Sequence, residues 1–301
     1  MQQRQKLIVI VGPTATGKSD FAIRLAKQSN CEIISADSQQ VYRGLDIGTA
    51  KVPGTWKNGV FMYRNIPHHC IDFVSPRKTY SVAEYQTCAN AAIQAIAQRG
   101  KVPILVGGTG LWIDAVVYGW RFPHVAPDQK LRTRLEQKTA AELLTLLKKL
   151  DSRRAKTIEH KNPRRLIRAI EIARALGAVP KLKNRSPYDT LMMGLNPALS
   201  VLEKRIRNRT KQIIRYGLIS EIKKLLASRI SKKRIREFGF EYRVGLAYLD
   251  GALSKTGLLD RMTAETRRYA KRQMAWFKRK PNIIWNPSAR GVQKQINNFY
   301  Y

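Results

Sequence analysis

The sequence predicts an α/β fold: a parallel sheet with covering helices, interrupted by a mainly helical insertion domain. Three observations carry that prediction. The apolar run Leu7 to Val11 leads directly into Gly12-Pro13-Thr14-Ala15-Thr16-Gly17-Lys18-Ser19. A strand followed by G-x-x-x-x-G-K-[ST] is the pattern of a phosphate-binding loop, and so of a P-loop NTPase-like core. Strand and helix patterns then alternate up to residue 118, as parallel sheets require. From Arg121 onward the periodicity becomes helical, with apolar residues three and four apart.

The individual elements follow from the same reading. Leu7 to Val11 is the first strand, and Phe21, Ala22, Leu25 and Ala26 mark one face of a helix from Lys18 to about Gln28. A second strand covers Glu32 to Ala36, a helix runs from about Val82 to Arg99, and a third strand covers Val102 to Val106. Gly44 to Thr79 is rich in Gly, Pro and polar residues and too long for an ordinary connection. It is expected to be a functional loop or lid that moves. Helices are predicted at Asp128 to Gln137, Ala140 to Leu150 and Pro163 to Leu176, a returning strand at Leu191 to Leu195, and basic helices at Val201 to Tyr216, Ile219 to Ala227 and Thr263 to Lys278. The expected division is a discontinuous core of residues 1–118 and 188–301 around an insertion at 119–187.

Charge is the second strong signal. Over 301 residues, 56 Lys and Arg stand against 21 Asp and Glu, a formal charge of +35. The first 120 residues hold 13 basic and 7 acidic side chains, whereas the remainder holds 43 and 14. The excess therefore lies outside the phosphate loop, and an extended polyanion such as RNA accounts for it better than a small nucleotide does. The basic helices carry charge on nearly every face, which favours a polyanion-binding surface. Three cysteines without a C-x-x-C pair suggest neither a disulfide framework nor a zinc knuckle. No apolar stretch approaches membrane-spanning length, so a cytoplasmic protein with no membrane partner is expected.

Within the loop, glycines let backbone N–H groups turn inward as an anion nest, Lys18 adds a point charge, and Ser19 offers a hydroxyl to Mg²⁺. Asp37 ends the second strand pattern and should approach the loop, because ligands of open parallel sheets bind at the carboxyl ends of strands. On position alone it is a Mg²⁺-side carboxylate, a general base or a cap. Gln39 and Gln40 are of the type that hydrogen-bonds an adenine edge. Gly107-Gly108-Thr109-Gly110 follows the third strand and shares the rim. There Thr109 can donate to a phosphate oxygen. His68-His69-Cys70-Ile71-Asp72 holds three potential metal ligands but lacks a partner pair, and a closing loop is the favoured reading. Trp112, Tyr269, Trp276 and Trp285 fall in apolar periodicity and are assigned to the core.

Six stretches together resemble the tRNA dimethylallyltransferases. They are Gly12 to Ser19, Ser35 to Tyr42, Asp46-Ile47-Gly48-Thr49-Ala50-Lys51, Val106 to Thr109, Arg164-Arg165-Leu166-Ile167-Arg168-Ala169-Ile170-Glu171, and Arg272-Gln273-Met274-Ala275-Trp276. The resemblance implies transfer of a dimethylallyl group from dimethylallyl diphosphate to N6 of the adenosine just 3′ of the anticodon. The phosphate loop would then hold an isoprenoid diphosphate with Mg²⁺ at Ser19, and Asp37 would be the base. Thr109 and Arg209, the latter in a basic helix, would complete the catalytic set. tRNA contacts are implied for Asp37, Ser38, Gln39 and Gln40, for Gly110, and for Arg164, Arg165, Leu166, Ile167 and Arg168, with the anticodon stem-loop of tRNA as partner of a monomer. Two features qualify the match. Phe238-Gly239-Phe240-Glu241-Tyr242 departs from the Gly-Tyr pattern common in the family, leaving local tRNA contacts open. The sequence ends at Tyr301 without the zinc-finger extension of eukaryotic relatives, which implies the compact bacterial form. An adenylate isopentenyltransferase acting on free AMP, ADP or ATP, a P-loop kinase or ATPase acting on RNA, and a non-catalytic RNA-binding protein are the alternatives.

Overall fold

The computed structural model describes residues 4–300. The central strand β1 (Gln5–Val11) is buried on both faces because its side chains alternate between two separate apolar clusters. Leu7, Val9 and Val11 enter one, Ile8 and Ile10 the other. That is why it is a continuous apolar run rather than an alternating one. The same division applies to β2 (Cys31–Ala36), β6 (Val102–Gly107) and β7 (Tyr188–Gly194).

Three short strands lie between β2 and β6 in sequence: β3 (Thr55–Lys57), β4 (Val60–Tyr63) and β5 (Ile66–His69). With β8 (Ile283–Trp285) they make an eight-stranded sheet in the order β3-β4-β5-β2-β6-β1-β7-β8. β5, β2, β6, β1, β7 and β8 are parallel, while β3, β4 and β5 form an antiparallel meander at one edge. The segment from Gly44 to Thr79 is therefore not a free lid. Asn58 and Gly59, at φ 49° and 76°, and Arg64 and Asn65, at φ 50° and 63°, make the left-handed two-residue turns that close hairpins.

Helix α1 (Lys18–Gln28) follows the phosphate loop and buries Ala22, Ile23, Leu25 and Ala26. α2 (Val82–Gln98) starts at a reciprocal cap between Ser81 and Glu84 and buries Tyr85, Ala89, Ile93 and Ile96. α3 (Gly110–Val117) continues from the end of β6.

The chain separates into two compact units, one running up to Gly119 and resuming at Ser186, the other Trp120–Arg185. The second comprises α4 (Gln129–Leu135), α5 (Ala140–Leu150), α6 (Ser152–Thr157) and α7 (Pro163–Leu176). Leu131, Leu143, Leu147, Leu166 and Ile170 form its core. Buried Glu171 accepts from both Arg132 nitrogens at 2.7 and 2.9 Å, from Arg168 at 3.2 Å and from the Asp128 amide at 3.0 Å.

The first unit is completed by α8 (Leu199–Arg215), α9 (Leu218–Ala227), α10 (Lys232–Glu237), α11 (Phe240–Leu249), α12 (Lys255–Phe277) and α13 (Ala289–Tyr300). The expectation that the basic helices bear charge on nearly every face is corrected here. α8 buries Leu202, Ile206, Thr210 and Ile213 as one stripe, and α12 buries Leu258, Met262, Ala270, Gln273 and Phe277. Burial of one face is what holds so cationic a helix against its neighbours. No helix among the described residues is long and apolar enough to cross a membrane.

Candidate active site

The phosphate loop bends from β1 into α1 through backbone conformations that favour glycine. Gly12 has φ 143°, and a Cβ there would lie 2.5 Å from the Leu195 carbonyl oxygen. Gly17 is left-handed at φ 90° and starts α1 without a side-chain cap, so the first amides of the helix are left for an anion. Thr16 Oγ1 donates to the Pro13 carbonyl at 2.9 Å, and Lys18 Nζ donates to the same oxygen at 2.6 Å. Ala15 packs against Leu202, Ile206 and Ala270, and Arg205 donates to the Thr16 carbonyl at 3.2 Å. α8 and α12 thus brace the loop.

A cavity of about 300 Å³ opens at the carboxyl ends of β1, β2 and β6. Of the residues expected at the site, Thr14, Ala15, Gly17, Lys18, Ser19, Asp37, Gln40 and Arg209 line it. Gly12, Pro13 and Thr16 shape the loop from behind. Ile33, Tyr63, His68, Ile71 and Val106 give the same cavity an apolar wall. The loop therefore faces a space lined by both ionic and apolar side chains.

Asp37 leaves the end of β2 with Oδ1 accepting from the amides of Gln39 at 2.9 Å and Gln40 at 3.3 Å. Oδ2 has no hydrogen-bond partner among the described residues. The capping reading and the acid–base reading are thus compatible: one oxygen fixes the turn and the other faces the cavity. Thr109 accepts the Ser38 amide at 3.1 Å, and its own amide donates to Ala36 at 3.2 Å, joining the rims of β2 and β6. Tyr269 lines the cavity, which corrects its assignment to the core: an amphipathic ring with a polar tip satisfies apolar periodicity while serving a polar rim. Trp112 does stack in the core on Tyr85, with centroids 4.0 Å apart.

Burial pushes the Lys18 ammonium down to about 7, aided by the positive charge of Arg209 and opposed by Asp37. Burial also lowers Arg209, against the attraction of Glu241 and Asp37. Arg209 Nη2 donates to the Thr49 carbonyl at 3.3 Å, and Gln40 Nε2 donates to the same oxygen at 3.2 Å. Glu241 was flagged in sequence only as part of an unusual stretch. Burial raises its carboxyl to about 7, against its own backbone amide and Arg209.

Two supports of the site come from distant helices: Glu221 carries no recognisable local signal, whereas Gln273 lies in one of the six resembling stretches but has no role assigned there. Glu221 of α9 accepts the amides of Asp46, Ile47 and Gly48 at 2.8, 2.7 and 3.0 Å and the Tyr242 hydroxyl at 2.8 Å. It clasps the turn that presents the Thr49 carbonyl. Gln273 of α12 accepts the Thr14 amide at 2.8 Å and donates to the Gly108 carbonyl at 2.9 Å. Lys51 lies beside them, tied to Asp46 at 2.7 Å and Asp72 at 2.6 Å.

The His68 to Asp72 stretch is not a closing loop. His68 and His69 end strand β5, His69 pairs with Glu32 at 2.7 Å, and Cys70 meets Cys88. Among the described residues no group of three or more His, Cys, Asp or Glu is placed to hold a metal.

Ser38 and Gln39 sit in the turn behind Asp37, and Gly110 opens α3 beneath the Trp276 ring. In the helical unit, Arg164 and Arg165 are exposed at the head of α7, with Arg165 3.0 Å from Glu159. Arg168 also donates to the Val125 carbonyl at 2.8 Å. The side chains of Leu166 and Ile167 are buried in that unit's core, so they present no surface to RNA.

A phosphate loop, a half-free carboxylate and apolar side chains around one cavity define a protein of P-loop-like fold. The model of the IPP transferase family matches residues 40–280, and an isopentenyl transferase model matches residues 5–54. A tRNA dimethylallyltransferase of Roseiflexus sp. is 41% identical over 96% of this chain and 95% of its own length, and that of Halalkalibacterium halodurans is 40% identical over 94% and 91%. The full-length tRNA isopentenylpyrophosphate transferase of Bacillus halodurans superposes with a TM-score of 0.70 at 38% identity, covering 98% of this chain and 95% of that one. A eukaryotic dimethylallyltransferase solved acting on tRNA superposes at 0.76 and 26% identity, covering 98% and 79%. The chain belongs to the IPP transferase family.

Proposed function

We propose that this protein transfers the dimethylallyl group of dimethylallyl diphosphate to N6 of the adenosine immediately 3′ of the anticodon in tRNA, releasing diphosphate. The observation that carries the reading is the double character of the cavity, which the phosphate loop and Asp37 line together with the apolar side chains of Ile33, Ile71 and Val106.

In this reading the diphosphate lies on the first amides of α1 beside Lys18 and Arg209, and the five-carbon tail lies along the apolar wall. The N6 amine is a weak nucleophile because its lone pair is delocalised into the purine. Asp37 Oδ2 takes its proton as the nitrogen attacks C1 and the C1–O bond breaks, which is general-base help worth about 10² to 10⁴ in rate. Charge growing on the leaving diphosphate is met by donors that are already oriented. Ser19 lines the cavity and would offer its hydroxyl to a hard cation that keeps water and substrate phosphates as its other ligands. Mg²⁺ held there by Ser19 would neutralise charge on the diphosphate oxygens.

The adenosine must leave its stack to enter such a cavity, and unpaired anticodon-loop bases extrude at low cost. Gln40 faces it as a hydrogen-bonding partner for the base. The basic helices, with Arg164, Arg165 and Arg168 of α7, supply phosphate contacts to the anticodon stem-loop. The protein acts as a monomer in the cytoplasm. Incubation with labelled dimethylallyl diphosphate, Mg²⁺ and either tRNA, AMP or ATP tests the reading. Label is expected in tRNA alone, and label in the free nucleotide instead would overturn it.

A further inference from the structure

We propose that Gln273 is a positioning residue that sets the spacing between the leaving group and the attacking base; the proposal rests on the prenyl-transfer reading above. Gln273 is 6% exposed and uses both ends of its amide. Oε1 holds the Thr14 amide of the phosphate loop, and Nε2 holds the Gly108 carbonyl on the rim of β6. From Gly108 the connection continues through Thr109 Oγ1 to the Ser38 amide, next to Asp37. One side chain therefore joins the diphosphate cradle to the turn that carries the base.

The fit is tight. A Cβ on Gly108 would stand 2.2 Å from Nε2, so a glycine is needed where the amide approaches. The neighbours on the same face of α12 flank the same region: Tyr269, one turn earlier, lines the cavity, and Trp276, nearly one turn later, covers Gly110. An apolar residue of equal length would fill this volume, but it would leave the Gly108 carbonyl and the Thr14 amide without these partners. The amide fixes the separation of two loops that belong to opposite ends of the reaction.

Displacement at C1 needs the nitrogen, the carbon and the leaving oxygen in line at near-attack distance, and a misplacement of about 1 Å costs about 10²-fold in rate. A loosened pair also admits water. Its oxygen then bonds C1, the C1–O bond to diphosphate breaks, and the proton passes to Asp37. The products are dimethylallyl alcohol and diphosphate in place of modified tRNA.

The test compares wild type, Gln273→Met, Gln273→Glu and Gly108→Ala, the last pressing on the same amide from its other side. Modified tRNA and dimethylallyl alcohol are measured in single turnovers, with kcat normalised to active sites counted by stoichiometric product formation. The proposal expects kcat to fall about 10²-fold while KM for either substrate changes less than about threefold, and the ratio of alcohol to modified tRNA to rise in every variant that folds. Gln273→Glu keeps the acceptor for Thr14 and should fall less than Gln273→Met. A merely structural role predicts fewer active sites with unchanged kcat per site and an unchanged product ratio, and that result overturns the proposal. Absence of transfer by the wild type would instead overturn the prenyl-transfer reading itself.

Discussion

Asp37 and Glu221 are both carboxylates held by backbone amides near one cavity, yet they are built for opposite ends. Glu221 is filled: three amides and a tyrosine hydroxyl take both of its oxygens. Asp37 is half filled, with two amides on Oδ1 and Oδ2 left to the cavity. The difference teaches that spare hydrogen-bonding capacity separates a carboxylate that can accept a proton from one that fixes a turn. A satisfied buried carboxylate has nothing left to offer a substrate.

The largest expected effect breaks the comparison on the side of chemistry. Asp37→Asn keeps the cap, since asparagine caps as well as aspartate, but removes the base. Transfer should fall about 10³-fold in a single-turnover assay while the thermal midpoint and tRNA affinity stay unchanged. Activity within tenfold of wild type would remove Asp37 from proton transfer.

Next is the architectural side. Glu221→Ala orphans three amides and the Tyr242 hydroxyl, and should cost about 2–4 kcal/mol in urea unfolding. Tyr242→Phe, losing a single bond to a charged acceptor, should cost about 1.5–3 kcal/mol. If Glu221→Ala instead left stability unchanged and abolished turnover, the two carboxylates would have been assigned the wrong way round.

A third carboxylate extends the comparison to the far end of β2. Burial works against ionised Glu32, yet hydrogen bonds from Arg99, His69 and Lys101 hold its pKa down to about 2 from 4.5. Its folded pKa is depressed, so its contribution is complete above pH 4.5 and is lost as pH falls toward 2. The stability difference between wild type and Glu32→Gln, followed by chemical denaturation, should therefore be full at pH 6 and shrink across that window. A difference that does not change with pH would mean that the partners act by packing alone.

The smallest effect is on ligand binding. Lys18 loses its proton near pH 7 in the free protein, because burial and Arg209 disfavour its charge. A bound diphosphate restores the charge, so binding above pH 7 should take up a proton and weaken as pH rises. Titration calorimetry at pH 8.5 in buffers of different ionisation enthalpy should show uptake approaching one proton per site. No uptake would place Lys18 away from the diphosphate.

The elements that sequence periodicity located well are those whose environment is symmetrical or nearly so. β1, β2 and β6 are buried on both faces, so their apolar runs stand out without any knowledge of partners. The meander β3 to β5 failed that test because Thr55–Lys57 is exposed throughout and β4 only partly buried. The Asn58-Gly59 hairpin signal was available there and outweighed by the polar composition around it. The phosphate loop, Asp37 and Thr109 could be placed on one rim because a parallel sheet brings its strand ends together wherever they occur in the chain.

By itself, then, the sequence determined the strand–loop–helix unit at Gly12 to Ser19 and the carboxylate and glycine turns of the same rim, since each is a local conformation specified by the residues that adopt it. Beyond Lys18 of that loop, tertiary structure decided which of the 56 basic side chains would face the cavity. Arg209 does so because the buried stripe of α8 turns it there. It also decided that Gln273 would meet Thr14 across 259 positions and Glu221 meet Asp46 across 175. Such pairings have no local signature, because the energy that selects them belongs to the packed helices and not to either segment.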